Sequence, residues 1–202
     1  MARAGMANLI GVVRRLTNAG TADHTVAGTT YFTDDQIQYE LDKYRTTVKR
    51  RDIVSQPEYV DGDYQYLEYP LHPLRNFEEN DTDSGWALRD NAGSAIGTAL
   101  YSVNYEAAII TFGADQDAET YYLDARVYDV NRAAADIWEM KASFYEALVD
   151  WSSDNHSIKQ SQQADYARKM AAKYRSLSGG NFVRRHRVDE NPYPPERRNR
   201  WS

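Results

Sequence analysis

Two helical patterns in succession, from Asn131 to Gly180, constrain this chain more than any other stretch. The first reads NRAAADIWEMKASFYEALVDW. Ile137, Met140, Phe144, Leu148 and Trp151 recur at helical spacing, and Trp138, Ala142, Tyr145 and Val149 form a second stripe. A helix apolar on two stripes must be covered over most of its circumference. The second pattern reads SIKQSQQADYARKMAAKYRSL, with Ala167, Met170, Ala171 and Tyr174 at i, i+3, i+4 and i+7 and polar residues elsewhere. Between them WSSDNHS is dense in turn and N-cap residues, and Gly179-Gly180 suits the left-handed position that closes a helix. The patterns predict a central helix with an amphipathic helix folded back across it.

Upstream, Leu9, Val12, Val13 and Leu16 predict a short amphipathic helix over Ala7–Thr17, ended by Asn18-Ala19-Gly20. YFTDDQIQYELDKYRTTVKRR follows a loop of small residues. Thr33 and Gln36 form a capping box, and Asp34 and Asp35 at the start, with Lys49, Arg50 and Arg51 near the end, complement a helix dipole. Ile37, Leu41, Tyr44 and Val48 give it one apolar stripe, so the expectation is a single helix running to about Arg51.

From Pro57 to Tyr128 the pattern changes to tyrosine, glycine and short alternating runs. Strands are expected at 64–71, 86–90, 105–112 and 120–130, with a turn at Asn91-Ala92-Gly93. Pro70 and Pro73, around His72, end the first strand or put it on an edge. The segment 76–85, NFEENDTDSG, is expected to be an exposed acidic loop. The resulting expectation is an α+β chain: an antiparallel helical bundle (residues 1–56 and 129–178), an inserted small antiparallel β-domain (57–128) and an extended basic C-terminal arm (179–202).

The formal net charge of −6 argues against general electrostatic binding to nucleic acid. Its distribution is uneven. Residues 181–202 carry six arginines against Asp189, Glu190 and Glu196, a net of +3, which leaves −9 on the rest. This segment has three prolines, no periodicity and separated apolar residues, so by itself it cannot bury enough surface to offset ordering entropy. Phe182, Tyr193 and Trp201 among Arg184, Arg185, Arg187, Arg197, Arg198 and Arg200 suit a segment that orders on a partner's surface. A flexible solubilising terminus is the simpler alternative.

Little in the sequence points to catalysis. The absence of cysteine excludes disulfides, thiolate nucleophiles and cysteine-ligated zinc. His24, His72, His156 and His186 include no pair at helical ligand spacing. Asp34-Asp35 is explained by the helix start, and Glu78, Glu79, Asp81 and Asp83 lack the spacing and glycine of a calcium loop. Phosphate-binding loops and hydrolase or metalloprotease motifs are missing. No apolar run is long enough to span a membrane, and the N-terminus makes a poor signal peptide.

Several segments in order carry a resemblance: Arg14-Arg15-Leu16-Thr17-Asn18, Phe32-Thr33-Asp34-Asp35-Gln36-Ile37, Ala133-Ala134-Ala135, Asp150-Trp151-Ser152 and Lys159-Gln160-Ser161-Gln162. In this arrangement the chain resembles the head-tail connector, or adaptor, family of tailed bacteriophages. The likeness covers about residues 6–56 and 129–178; the β-rich block departs from the shorter connection of compact members. The resemblance implies a structural virion protein, made in the host cytoplasm and located at the neck. It would form a homo-oligomeric, dodecameric ring beneath the portal protein and dock a tail or stopper protein. Double-stranded DNA would pass through its channel without specific binding, with roles in genome retention and ejection. No catalysis, cofactor, metal or membrane is implied. The portal-binding arm would be Phe182–Ser202, and Trp138 and Tyr145 would contact the β-domain or the next subunit. The alternatives are a nucleic-acid-binding protein using the Arg-rich tail and, more remotely, a metal-dependent enzyme.

Overall fold

The computed structural model describes residues 2–20, 24–26, 29–81, 84–148, 151–153, 156–158 and 160–179. A 3-10 turn (Ala4–Met6) leads into α1 (Ala7–Thr17), and Asn18 closes α1 in the left-handed conformation at φ 48°. A hairpin of β1 (His24–Val26) and β2 (Thr29–Tyr31) precedes α2 (Asp34–Lys43). The capping box forms: Thr33 Oγ1 accepts from the Gln36 amide at 3.4 Å, and Gln36 Oε1 accepts from the Thr33 amide at 3.1 Å.

The expected long second helix stops at Lys43 and becomes β3 (Arg45–Ile53). Thr46, Thr47 and Val48 are β-branched and stiff at χ1, which suits a pleated surface better than a helix. Val48 is buried as a strand residue, in the sheet core, where the helical stripe would have put it against helices. A two-residue link leads to β4 (Gln56–Val60) and β5 (Asp63–Pro70), then β6 (Ala87–Arg89), β7 (Tyr101–Asn104), β8 (Ile109–Phe112) and β9 (Tyr121–Tyr128). The run at 105–112 is a turn followed by β8, so the expected single strand is half of a hairpin with β7. β5 ends at Pro70 and lies inside its sheet.

The central helix α3 (Val130–Glu146) is shorter than the sequence pattern. Trp151, expected as its last apolar position, belongs to β10 (Trp151–Ser153), which pairs with β11 (His156–Ile158). The last helix, α4 (Gln160–Leu177), packs along α3.

Two antiparallel sheets form, one ordered β3-β9-β6 and one ordered β4-β5-β8-β7. The expected helical bundle with an inserted β-domain is therefore replaced by a small α+β fold with four helices and seven strands in these two sheets, plus the two short hairpins, among the described residues. The physical reason is that sheet and helices share the same stretches of chain. β3 comes directly after α2 and pairs with β9, whose Val127 lies in the sheet core while Tyr128, the next residue, lies in the helical core. Alternation along β9 sends successive residues to opposite faces, so this one strand joins both cores.

Segment 76–85 also differs from its expected exposure. Phe77 bridges to Val127, and Phe77, Glu78 and Ser84 are buried. The two apolar stripes of α3 separate as two interfaces. Ala133 and Ile137 meet α1 and α2, with Met6, Val13, Phe32 and Leu41. Trp138 and Ala142 meet Ala167 and Ala171 of α4.

Candidate functional site

Among the described residues, polar nodes at Arg14 and Glu78 hold the fold, and open grooves and a projecting hairpin mark its surface. The first node is Arg14. Its Nη2 donates to the Phe32 carbonyl at 3.0 Å and to Asp34 Oδ1 at 2.6 Å, and its Nη1 donates to the carbonyls of Ala19, at 3.2 Å, and Gly20. The end of α1, the following loop and the start of α2 are thereby tied to one guanidinium, whose planar fork suits several acceptors at once. Beside it the buried Lys141 ammonium, from α3, donates to the Thr17 carbonyl at 2.9 Å and the Asn18 carbonyl at 3.2 Å. A cation there satisfies carbonyls left open at the end of α1 and opposes the dipole. Phe32 and Trp138 face the same ammonium at 5.4 and 5.3 Å from their ring centroids.

The second node is Glu78, whose side chain is 1% exposed. It accepts from Tyr128 Oη at 2.6 Å, Arg3 Nε at 2.9 Å and Arg126 Nη1 at 3.4 Å. Arg3 also grips Asp42 of α2 through Nη1 at 3.0 Å and Nη2 at 2.7 Å. Burial pushes the Tyr128 phenol up, and its bond to Glu78 pushes it further. Burial alone would raise the Asp42 carboxyl; the bonds and charge of Arg3 outweigh it and hold the group below the usual carboxylate range. Gly5 completes this clamp. Its carbonyl accepts from the Glu79 amide at 3.0 Å, and a Cβ there would stand 2.7 Å from the Glu79 carbonyl oxygen.

Each carboxylate of the two nodes is engaged by an arginine, and Glu78 also accepts from the Tyr128 hydroxyl. Among the described residues, no group of three or more His, Asp or Glu is arranged to hold a metal ion. No helix among them is long and apolar enough to cross a membrane.

The surface is more informative. A groove of about 340 Å³ between α2 and α3 has Phe32, Ile37, Ile137 and Met140 in its lining and exposed Tyr39 beside it. A wider groove of about 600 Å³ runs past Val12, Leu74, Val130 and Leu177 to Gly179, where the described chain ends. A third, of about 390 Å³, is lined by Lys49, Arg50, Arg89, Asp90, Tyr122 and Asp124 on one side of the β3-β9-β6 sheet. The β4–β5 hairpin carries Tyr59 and Tyr64, both more than 60% exposed, with ring centroids 5.2 Å apart.

Trp138 is buried against α4 of its own chain: its ring meets Tyr166 edge-on at 5.8 Å, and its Nε1 donates to the Leu16 carbonyl at 3.2 Å. Tyr145 is partly buried on the same α3–α4 interface. The arm residues Phe182, Arg184, Arg185, Arg187, Tyr193, Arg197, Arg198, Arg200 and Trp201 lie outside the described residues, as does His186. His72 is exposed in the segment after β5.

Sequence reasoning missed the hairpin and the Glu78 clamp. The hairpin had a local signal, Asp61-Gly62 between two runs with β-formers, which is a strong hairpin turn. The clamp had none, because Glu78 joins residues 75 and 50 positions away. No family model matches the chain, and no curated protein matches it.

Proposed function

We infer that this chain is an adaptor of a tailed-bacteriophage virion, assembling as a dodecameric ring between the portal protein and a tail or stopper protein. The observation that carries the reading is the Arg14 node. Two of the segments on which the resemblance rests, 14–18 and 32–37, are far apart in sequence. They meet through Arg14, Phe32 and Asp34, while Lys141 of the central helix caps 17–18. That these segments meet in one node supports reading them as one unit. The charge distribution supports the same reading: an acidic body lets DNA slide because phosphates find few cations to neutralise them.

In this role residues 181–202 form the portal-binding arm. Their arginines and spaced aromatics suit an acidic portal surface, with ordering on binding. The test is deletion of 181–202. The truncated chain should keep the wild-type unfolding midpoint and lose portal attachment in a pull-down; undiminished attachment sinks the arm assignment. Segment 57–128 contributes subunit or tail contacts, so it should gain hydrogen-exchange protection on assembly.

The same arginines favour one second reading, a nucleic-acid-binding protein. That reading requires steeply salt-dependent DNA binding by the isolated chain, lost when the six arginines are replaced.

A further inference from the structure

We propose that the β4–β5 hairpin of one copy docks into the basic groove beside β3 of the next copy, and that this is the repeating contact of the ring. The inference rests on the ring reading and names the surfaces that would build it.

The hairpin has the form of a docking element. β4 is an edge strand, and the β5–β8 ladder takes in only Glu68, Tyr69 and Pro70. Asp63–Leu67 and the facing part of β4 therefore extend beyond the sheet, about 15 Å at strand rise. Asp61 and Gly62 turn the chain at φ 51° and 100°, the left-handed pair of a tight hairpin turn. A turn fixed in advance lowers the ordering cost of binding. Tyr59 and Tyr64 stand opposite each other across the ladder on one face of the ribbon, Glu58 and Asp63 stand on its other face, and Asp61 sits in the turn, all exposed. Residues 56–64 contain no basic residue.

The complementary surface lies on the other sheet. β3 is an edge strand carrying Arg45, Lys49, Arg50 and Arg51 against a single acid, Asp52. A bulge breaks its ladder between Val48 and Arg51, with Arg50 at φ 48°, and leaves Lys49 and Arg50 both exposed. Two acids, Asp90 and Asp124, also line the groove against Lys49, Arg50 and Arg89, and Asp124 already accepts from the Arg50 amide at 2.7 Å and from Arg89 Nε at 3.3 Å. The Arg50 guanidinium lies 5.5 Å from the Tyr122 ring centroid. The groove thus presents cations beside an aromatic ring, and a hairpin with a tyrosine pair on one face and carboxylates on its other face and turn complements both the ring and the cations.

Both surfaces belong to this one chain, which is why the occupant is a second copy. They are different surfaces, so the contact is head-to-tail, the type that closes into rings. Pro57 has no N–H to donate, and the bulge interrupts the other edge. Both features blunt continuous strand pairing, so selectivity rests on side-chain charge.

The experiment uses the full-length chain in two charge-reversed forms, Glu58→Lys/Asp63→Lys on the hairpin and Lys49→Glu/Arg50→Glu in the groove. Sedimentation velocity measures self-association with and without portal, and urea midpoints confirm folding. Each form alone should associate at least about tenfold more weakly than wild type. Mixed one to one, they should recover assembly, because every hairpin then faces a groove of opposite sign. Local damage would not be rescued by mixing. Association within about twofold of wild type for either form alone, or no recovery on mixing, overturns the contact. If rings form and the reversals do nothing, this contact alone fails. A wild-type chain that never self-associates, with portal or without, overturns both the contact and the ring.

Discussion

Replacing Glu78 with glutamine keeps the side chain's shape and removes its charge. The carboxylate faces three donors, Tyr128 Oη, Arg3 Nε and Arg126 Nη1, at 2.6, 2.9 and 3.4 Å. An amide offers one acceptor oxygen and two N–H donors. Its best arrangement donates to Tyr128 and accepts from Arg3, which leaves Arg126 facing a nitrogen. A hydrogen bond to a charged group contributes roughly 1.5–3 kcal/mol, and breaking a buried pair costs about 3–5 kcal/mol. Two facts lower the loss: Arg3 keeps its double bond to Asp42, and both arginines are 26% exposed. The expected cost of Glu78→Gln is therefore about 2–4 kcal/mol. At a urea dependence of roughly 1–3 kcal/mol per molar, the midpoint should fall by about 1–2 M. Urea titration followed by tryptophan fluorescence reads this directly. Tyr128→Phe should cost about 1.5–3 kcal/mol, and the double variant should lose at least about 0.5 kcal/mol less than the sum of the two. A Glu78→Gln midpoint within error of wild type would refute the reasoning, as would strict additivity.

Asp42→Asn should flatten the acid limb of stability against pH. The folded carboxyl is depressed, so its contribution is complete above about pH 4 and is lost as pH falls through the folded value. At the alkaline end the sign reverses. Burial, then the Glu119 charge, pushes the Tyr121 phenol up to about 12, and Tyr69 and Tyr128 are raised as well. Stability should be full below about pH 10 and fall as pH rises through those folded values, with phenolate absorbance appearing as the chain unfolds. Ala167→Leu should cost about 1–3 kcal/mol in urea unfolding by forcing α4 away from Trp138 and Ala142. Thr33→Ala should cost about 0.5–2 kcal/mol through the lost cap of α2.

What could be read from the sequence was local. The stripe of α1, the capping box of α2, the two faces of α3 and the stripe of α4 depend on spacing within one element, and each is present. The switch from α2 to β3 depends on pairing with β9, with partners such as Arg45 and Tyr128 far apart in sequence, and no local pattern announces a partner. Val48 shows the difficulty: it continues the helical stripe of α2, yet its burial comes from a sheet. The same holds for Glu78, whose place in an acidic run suggested solvent while its partners lie on β9 and before α1. Of the charged surfaces, the basic run Lys49, Arg50 and Arg51 was visible along the chain, read there as a helix end, while the acidic hairpin was missed. Their common role as two faces of one contact required the sheet order, which puts both strands on open edges.

The adaptor reading is tested most directly by electron microscopy of the purified full-length chain mixed with portal. The expected images show a closed ring of chains stacked coaxially on the portal, lost when residues 181–202 are removed. Portal particles with no added ring, under conditions where the chain remains folded, would contradict it.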